Sequence, residues 1–333
     1  GLAGTLSRPF VEASFEFYSK TLRGTEQIKP RWKRVTSATN GALGMGIGKL
    51  YVEQHFDAEA KEIALRMVEN ILDVMKMRLE NLDWMSVETR KEGIRKLNTI
   101  MPKIGYPDKW RTYGEMEIKD QAYAQNVIAA RNGNFMYQVN KLNQPVDRTE
   151  WGMPPQTVNA YYNPSKNEIV FPAGILQAPF FDKEVGMELN YGGFGADGNR
   201  QNWWTDDDRS AFEKRSQMVV DQYEAYKVLD TLPLNGRLTL GENIADIDGL
   251  RISYQAWKRS MEEGEGETKH GYTPEQRFFI NYGQIWSSLM RDEYLRLMVS
   301  TDPHSPPVWR VNGSTSNLPE FYEAFNVTPE DPM

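Results

Sequence analysis

Leu240-Gly-Glu-Asn-Ile-Ala-Asp246 is the stretch on which the reading of this chain turns. Apolar residues recur at helical spacing in and after it, at Leu240, Ile244, Ala245, Leu250 and Ile252, so a helix is expected from Leu240 to about Ser260. Glu242 and Asp246 are four residues apart and fall on one face of that helix. Like charges at this spacing destabilise an exposed helix by about 0.2–0.5 kcal/mol. Two solvated acids would be the ordinary outcome, yet the apolar surroundings leave them little polar surface. A buried carboxylate pair calls for a metal ion, a cationic side chain or a shared proton.

Downstream, Glu262 to Thr268 is Glu- and Gly-rich and reads as a solvated loop. Thr273 as cap and Pro274 at the first helical position start a long helix expected to end before Pro303. His304 then stands between Pro303 and Ser305-Pro306-Pro307, with Arg310 six residues on. Upstream, Asn235-Gly236 marks a turn, and Thr205 followed by Asp206, Asp207 and Asp208 opens a helix whose apolar stripe is Phe212, Val219, Tyr223 and Tyr226. Thr157–Tyr162 and Glu168–Phe171, joined by Asn163-Pro-Ser-Lys-Asn167, read as a β-hairpin.

The chain before Val146 has a different texture. Asp57 caps a helix whose face carries Ala64, Val68, Ile71, Met75, Leu79 and Leu82; Ser86 caps a second that must end before Pro102. Lys119 to Asn143 is a third amphipathic segment. These patterns predict an α-rich α+β protein, mostly helical over residues 1–146 and mixed over residues 147–333.

Composition narrows the function. Thirty-nine Lys and Arg against 46 Asp and Glu give a formal charge of −7 with no basic cluster, which argues against nucleic acid as the main partner. There is no cysteine, so disulfides, thiol nucleophiles and Cys-ligated metals are excluded. The longest apolar run, Ile169 to Phe181, is broken by Pro172, Gly174 and Pro179 and is too short to span a membrane. The three histidines, His55, His270 and His304, lie too far apart in sequence to give a ligand spacing.

A family resemblance joins these features. Asn159-Ala-Tyr-Tyr162, Asn167-Glu-Ile-Val-Phe-Pro-Ala-Gly-Ile-Leu-Gln177, Leu189-Asn-Tyr-Gly-Gly193, Gly241-Glu-Asn-Ile-Ala-Asp246, Asp302-Pro-His-Ser305 and Arg310-Val-Asn-Gly313 resemble the neprilysin-like zinc metalloendopeptidases, in the same order. Pro30-Arg-Trp-Lys33, Gly48-Lys-Leu-Tyr-Val-Glu53 and Ile104-Gly-Tyr-Pro-Asp-Lys-Trp110 extend it through the N-terminal half. The resemblance implies a thermolysin-like catalytic domain over 147–333. Residues 1–146 would belong to a mostly helical domain, incomplete here, that closes over the cleft. It implies zinc as cofactor, with Glu242 a ligand and Asp246 the partner of a zinc-bound His. Asn159 and Ala160 would hold substrate main chain as an added strand. His304 and Arg310 would stabilise the oxyanion and the polar network of the cleft. Oligopeptides are the implied substrates, and the location would be exported, periplasmic or at the cell surface; the lack of cysteine fits a bacterial member.

The departure from the family is equally specific. There, the Asn-Tyr-Gly-Gly segment runs into a helix bearing His-Glu-x-x-His, which supplies two zinc ligands and the general base. Here Asn190-Tyr-Gly-Gly-Phe-Gly195 is followed directly by Ala196-Asp-Gly-Asn-Arg200 and Trp203-Trp204. The chain as written thus lacks two ligands and the base. Losing a central helix would expose the apolar faces packed on it, so omission of the segment from a complete protein is expected, with Gly195 and Ala196 far apart in space. The other reading is a catalytically inactive peptide-binding relative. The resemblance also implies that the chain starts partway through the family's usual length and stops short of its usual end.

Overall fold

A computed structural model describes residues 2–114, 116–184, 187, 190, 205–229, 231–261, 266–328 and 331. The Gly195–Ala196 junction, most of Leu189–Gly193 and the first stretch of the 262–268 loop lie outside them. Helices dominate: α1 (Arg8–Phe15), α2 (Arg31–His55), α3 (Ala58–Glu80), α4 (Val87–Leu97), α5 (Tyr123–Val139), α6 (Asp206–Glu224), α7 (Leu240–Ser260), α8 (Pro274–Ile285), α9 (Asp292–Thr301), α10 (Pro307–Thr315) and α11 (Pro319–Phe325).

Local chemistry sets most of these boundaries. The Asp57 carboxylate accepts the Ala60 amide at 2.8 Å, and the Ser86 hydroxyl that of Thr89 at 3.2 Å. Thr205 caps α6 through the Asp208 amide at 3.1 Å. Thr273 and Gln276 form a reciprocal capping box on α8, with Pro274 at its start. On α3 the deeply buried side chains are Ala60, Ala64, Met67, Val68 and Val74, so the face turns slightly from the expected stripe, and Ile71, Met75 and Leu79 flank it half-buried.

A small sheet organises the centre. β1 (Met101–Gly105) pairs in parallel with β3 (Glu168–Pro172), and β3 pairs antiparallel with β2 (Tyr161–Asn163). Strand order β1-β3-β2 leaves β2 at an edge of this sheet. The core runs from Phe56 and Met67 through Ile104 and Phe171 to Leu250, Trp257, Phe278 and Leu318, with α3 packed on both β1 and α7. Residues before and after position 146 therefore share one sheet and one core.

Four expectations need correction. β1 was not anticipated at all: its run Met-Pro-Lys-Ile-Gly is short, holds a proline and a lysine, and has no alternation. The first hairpin strand is Tyr161–Asn163 rather than 157–162, because β3 ends at Pro172, which has no N–H to donate, and Gly174 instead donates to Pro155 O at 2.7 Å. The helix expected over 119–143 covers only Tyr123–Val139, since the Asn126 carboxamide turns Lys119 back across the helix start, with bonds to its amide and carbonyl at 3.2 and 2.8 Å. The long helix from Pro274 is two, α8 and α9, and Asp292 and Glu293 in the first turn of α9 mark the new positive end.

Candidate active site

Helix α7 presents Glu242 and Asp246 on one face, as the spacing predicts, and each meets a cation from the segment after α9. Glu242 Oε2 lies 3.3 Å from His304 Nε2. Asp246 is chelated by Arg310, Nε to Oδ2 at 2.6 Å and Nη2 to Oδ1 at 2.5 Å, while the same Nη2 stands 3.9 Å from Glu242 Oε2. Two cationic side chains thus offset the repulsion between the acids. Asn159 and Ala160 belong to a different element, the chain entering edge strand β2. Asn159 is exposed, with its Oδ1 accepting the Ala160 amide at 2.8 Å, and the Ala160 methyl packs on the core.

Electrostatics follow from these contacts. Glu242, then Asp302, push the His304 pKa up to about 9 against the cost of burial, so the imidazole carries charge at neutral pH. His304 in turn holds the Glu242 carboxyl below its ordinary value. Burial pushes Asp246 up, against the pull of Arg310. For Arg310, burial opposes the charge but Asp246 outweighs it, so its pKa is raised.

Supporting side chains fix the cluster, and several escaped the sequence reading. Asp302 Oδ1 takes both the His304 amide at 2.9 Å and its Nδ1 at 2.7 Å, which aims Nε2 at Glu242. Ser305 donates to Asn243 Oδ1 at 2.7 Å, and Asn243 donates to Thr239 Oγ1 at 2.9 Å, all three buried, so the His304 loop is clasped to the first turn of α7. Tyr282 of α8 donates to the Arg310 carbonyl at 3.1 Å, and the Arg310 guanidinium lies 4.0 Å above the Trp286 ring. Asn190 makes a two-bond clasp on Asp182, at 2.8 and 2.9 Å. Asn243, Asp302, Ser305 and Asn190 all sit inside the family-like motifs, where Glu242, Asp246, His304, Arg310 and the Asn159-Ala160 pair alone had drawn roles.

A zinc ion does not fit the described residues alone. Among them no three His, Cys, Asp or Glu side chains converge as a metal site. Both Asp246 oxygens are committed to Arg310, and Glu242 faces an imidazole. A cavity of about 820 Å³ near Phe56, Tyr106, Trp110 and Leu176 includes none of this cluster.

The profile of Peptidase family M13 matches residues 159–196 and 193–333, and that family's N-terminal profile matches residues 1–107. The chain belongs to peptidase family M13. Neprilysin-3 of Drosophila melanogaster is 37% identical over 358 residues, covering 98% of this chain and 45% of that protein. Human endothelin-converting enzyme 1 is 35% identical, covering 98% and 46%. The zinc metalloprotease Zmp1 of Mycobacterium tuberculosis, solved with an inhibitor, superposes with a TM-score of 0.90 at 40% identity, over 98% of this chain and 53% of that one. The chain spans about half the length of the relatives it matches, which come from animals as well as bacteria. Its fold is the α-rich α+β zincin architecture of the family.

Proposed function

We propose that the protein to which this chain belongs is a zinc-dependent endopeptidase cutting internal bonds of oligopeptides, with Glu242 a zinc ligand alongside ligands that the described residues do not include. The observation that carries this is that the family match falls into two segments, 159–196 and 193–333, which meet at the point where the resemblance puts the His-Glu-x-x-His helix. A human relative aligns over 361 residues with all 333 of this chain, so it holds residues without counterpart here. Retention of Glu242, Asp246, His304 and Arg310 in one cluster supports the same reading. An exported location belongs to it, and among the described residues no helix is long and apolar enough to cross a membrane.

The residues present handle the peptide. An extended substrate adds beside β2, pairing its backbone along Asn159-Ala160 while the Asn159 carboxamide fixes one end. His304, held by Asp302 through Nδ1, has Nε2 left to face the substrate carbonyl oxygen and, when protonated, donates to it as it gains negative charge. Arg310 and Asp246 hold the wall of the cleft rigid. The helical segments of 1–146 cover the cleft and favour peptides over folded proteins. The alternative, a non-catalytic peptide binder, draws on the poor zinc fit. Intact mass across Gly195–Ala196, zinc content and cleavage of a quenched fluorogenic peptide decide between them. Stoichiometric zinc with cleavage is expected of a protein whose mass includes the extra segment. A protein in which Gly195 is bonded directly to Ala196, without zinc, overturns the catalytic reading.

A further inference from the structure

A second, more deeply buried ion pair lies outside the Arg310 cluster. Lys103 on β1 and Glu168 on β3 are 6% and 1% exposed, and Lys103 Nζ donates to Glu168 Oε2 at 2.5 Å. Strand register sets Lys103 and Tyr161 on either side of Val170. Glu168, two residues before Val170, shares its face and reaches sideways to both neighbours. The carboxylate is divided between two strands: Oε2 takes Lys103, and Oε1 takes the Tyr161 hydroxyl at 3.4 Å. That hydroxyl also accepts the Gly152 amide at 2.8 Å, and burial pushes its pKa up to about 12, so it stays a donor.

The pair is also tied to α5. Lys103 Nζ donates to the Glu150 carbonyl at 2.8 Å, and the Glu150 carboxylate takes the Tyr137 hydroxyl at 2.9 Å together with Lys141. Apolar replacement of a buried ion pair is often neutral or stabilising. Stability is therefore a weak reason for its presence, and position is a better one. The strand it anchors, β2, is only three residues long and lies at the sheet edge. So short an edge strand has few ladder bonds of its own to define where it lies.

We infer that Glu168, clamped by Lys103, is a positioning residue that fixes β2 and the entering Asn159-Ala160 segment relative to α5, setting where a peptide backbone docks. This rests on the edge-strand reading of peptide binding. The β1–β3 pairing is made by backbone from Met101 with Glu168 to Gly105 with Pro172 and needs neither side chain of the pair, so fold and positioning are separable. The test uses the complete protein, stripped of metal by a chelator so that peptide is bound and not cut, a fluorescein-labelled nonapeptide with leucine at alternate positions, and hydrogen exchange. Tyr161→Phe removes only the hydroxyl, and Lys103→Met with Glu168→Met replaces the pair by apolar side chains that preserve folding. Both variants are expected to weaken nonapeptide affinity by about five- to tenfold. Amides of 159–163 should exchange about tenfold faster while those of α7 keep their protection. Wild-type affinity in both variants overturns the positioning role. A wild-type chain with no affinity for the nonapeptide overturns the edge-strand reading instead, and this inference with it.

Discussion

The guanidinium of Arg310 meets the carboxylate of Asp246 edge to edge, Nε to Oδ2 at 2.6 Å and Nη2 to Oδ1 at 2.5 Å, with Asp246 only 6% exposed. This fork joins α7 to α10 and holds the sole Arg that also approaches Glu242 among the described residues. Arg310→Met leaves a buried carboxylate without a counter-charge and should cost about 3–5 kcal/mol in urea unfolding. Arg310→Lys should recover only a fraction of this, because an ammonium cannot reproduce the planar fork. A wild-type midpoint for Arg310→Met would show that the fork does not hold the two helices.

Asp208 makes a pH prediction. At the start of α6 its buried carboxylate accepts the Ser86 amide at 2.8 Å, the Ser86 hydroxyl at 2.6 Å and the Thr205 hydroxyl at 2.7 Å, tying α6 to α4. Burial opposes its charge, but the donors from Ser86 and Thr205 outweigh it and hold the carboxyl well below its ordinary value. A folded-state pKa below the unfolded one gives stabilisation that is present above about pH 4 and lost as pH falls through the folded value. Asp208→Asn should therefore lose about 1.5–3 kcal/mol at neutral pH. The gap to wild type should narrow as acid protonates the wild-type carboxylate. Denaturant midpoints at neutral pH and near pH 3 check it, and an unchanged gap would refute the sign.

What the sequence made legible was chemistry of short range. Caps at Asp57, Ser86, Thr205 and Thr273 announce helix starts because each bond closes within three residues. Glu242 and Asp246 share a face because helix geometry puts them there. β1 was illegible because its pairing partner lies more than 60 residues away, at Met101 with Glu168, and nothing local marks it. The same holds for the Ser305–Asn243 clasp and for Lys103–Glu168, which are contacts between elements. A buried lysine in a short strand signals such a partner without naming it. Arg310 was placed in the cleft by resemblance, and its bidentate hold on Asp246 came only from the fold.

The exposed Asn159 carboxamide offers a direct measure of peptide docking. Asn159→Ala should leave stability within about 0.5 kcal/mol, as for other exposed positions. Peptide affinity, or kcat/KM in the complete enzyme, should fall by an amount equivalent to about 1–3 kcal/mol, as expected for one or two lost hydrogen bonds. Unchanged peptide binding in a stably folded variant would remove Asn159 from the substrate edge.

Gly313 gives the most local test of how the Arg310 helix is seated. It lies on α10, three residues after Arg310, and a Cβ built there would stand 2.5 Å from the hydroxyl oxygen of Tyr223 and 2.6 Å from its Cζ. Tyr223 is fully buried on α6, so neither it nor α10 has free space into which to retreat. Gly313→Ala also gains helix propensity of about 1 kcal/mol, and on an open helix it would stabilise. Here overpacking, at about 1–3 kcal/mol, should win and push α10 off α6, moving Arg310 away from Asp246. Tyr223→Phe removes the nearest of these atoms, the hydroxyl oxygen, but keeps Cζ at 2.6 Å; since that hydroxyl has no hydrogen-bond partner among the described residues, the substitution should itself cost little. Combined with Gly313→Ala it should restore part of the lost stability and leave the rest, a coupling of about 0.5–1 kcal/mol in a double-mutant cycle. Additive effects of the two substitutions would mean that α10 is not seated against the Tyr223 hydroxyl.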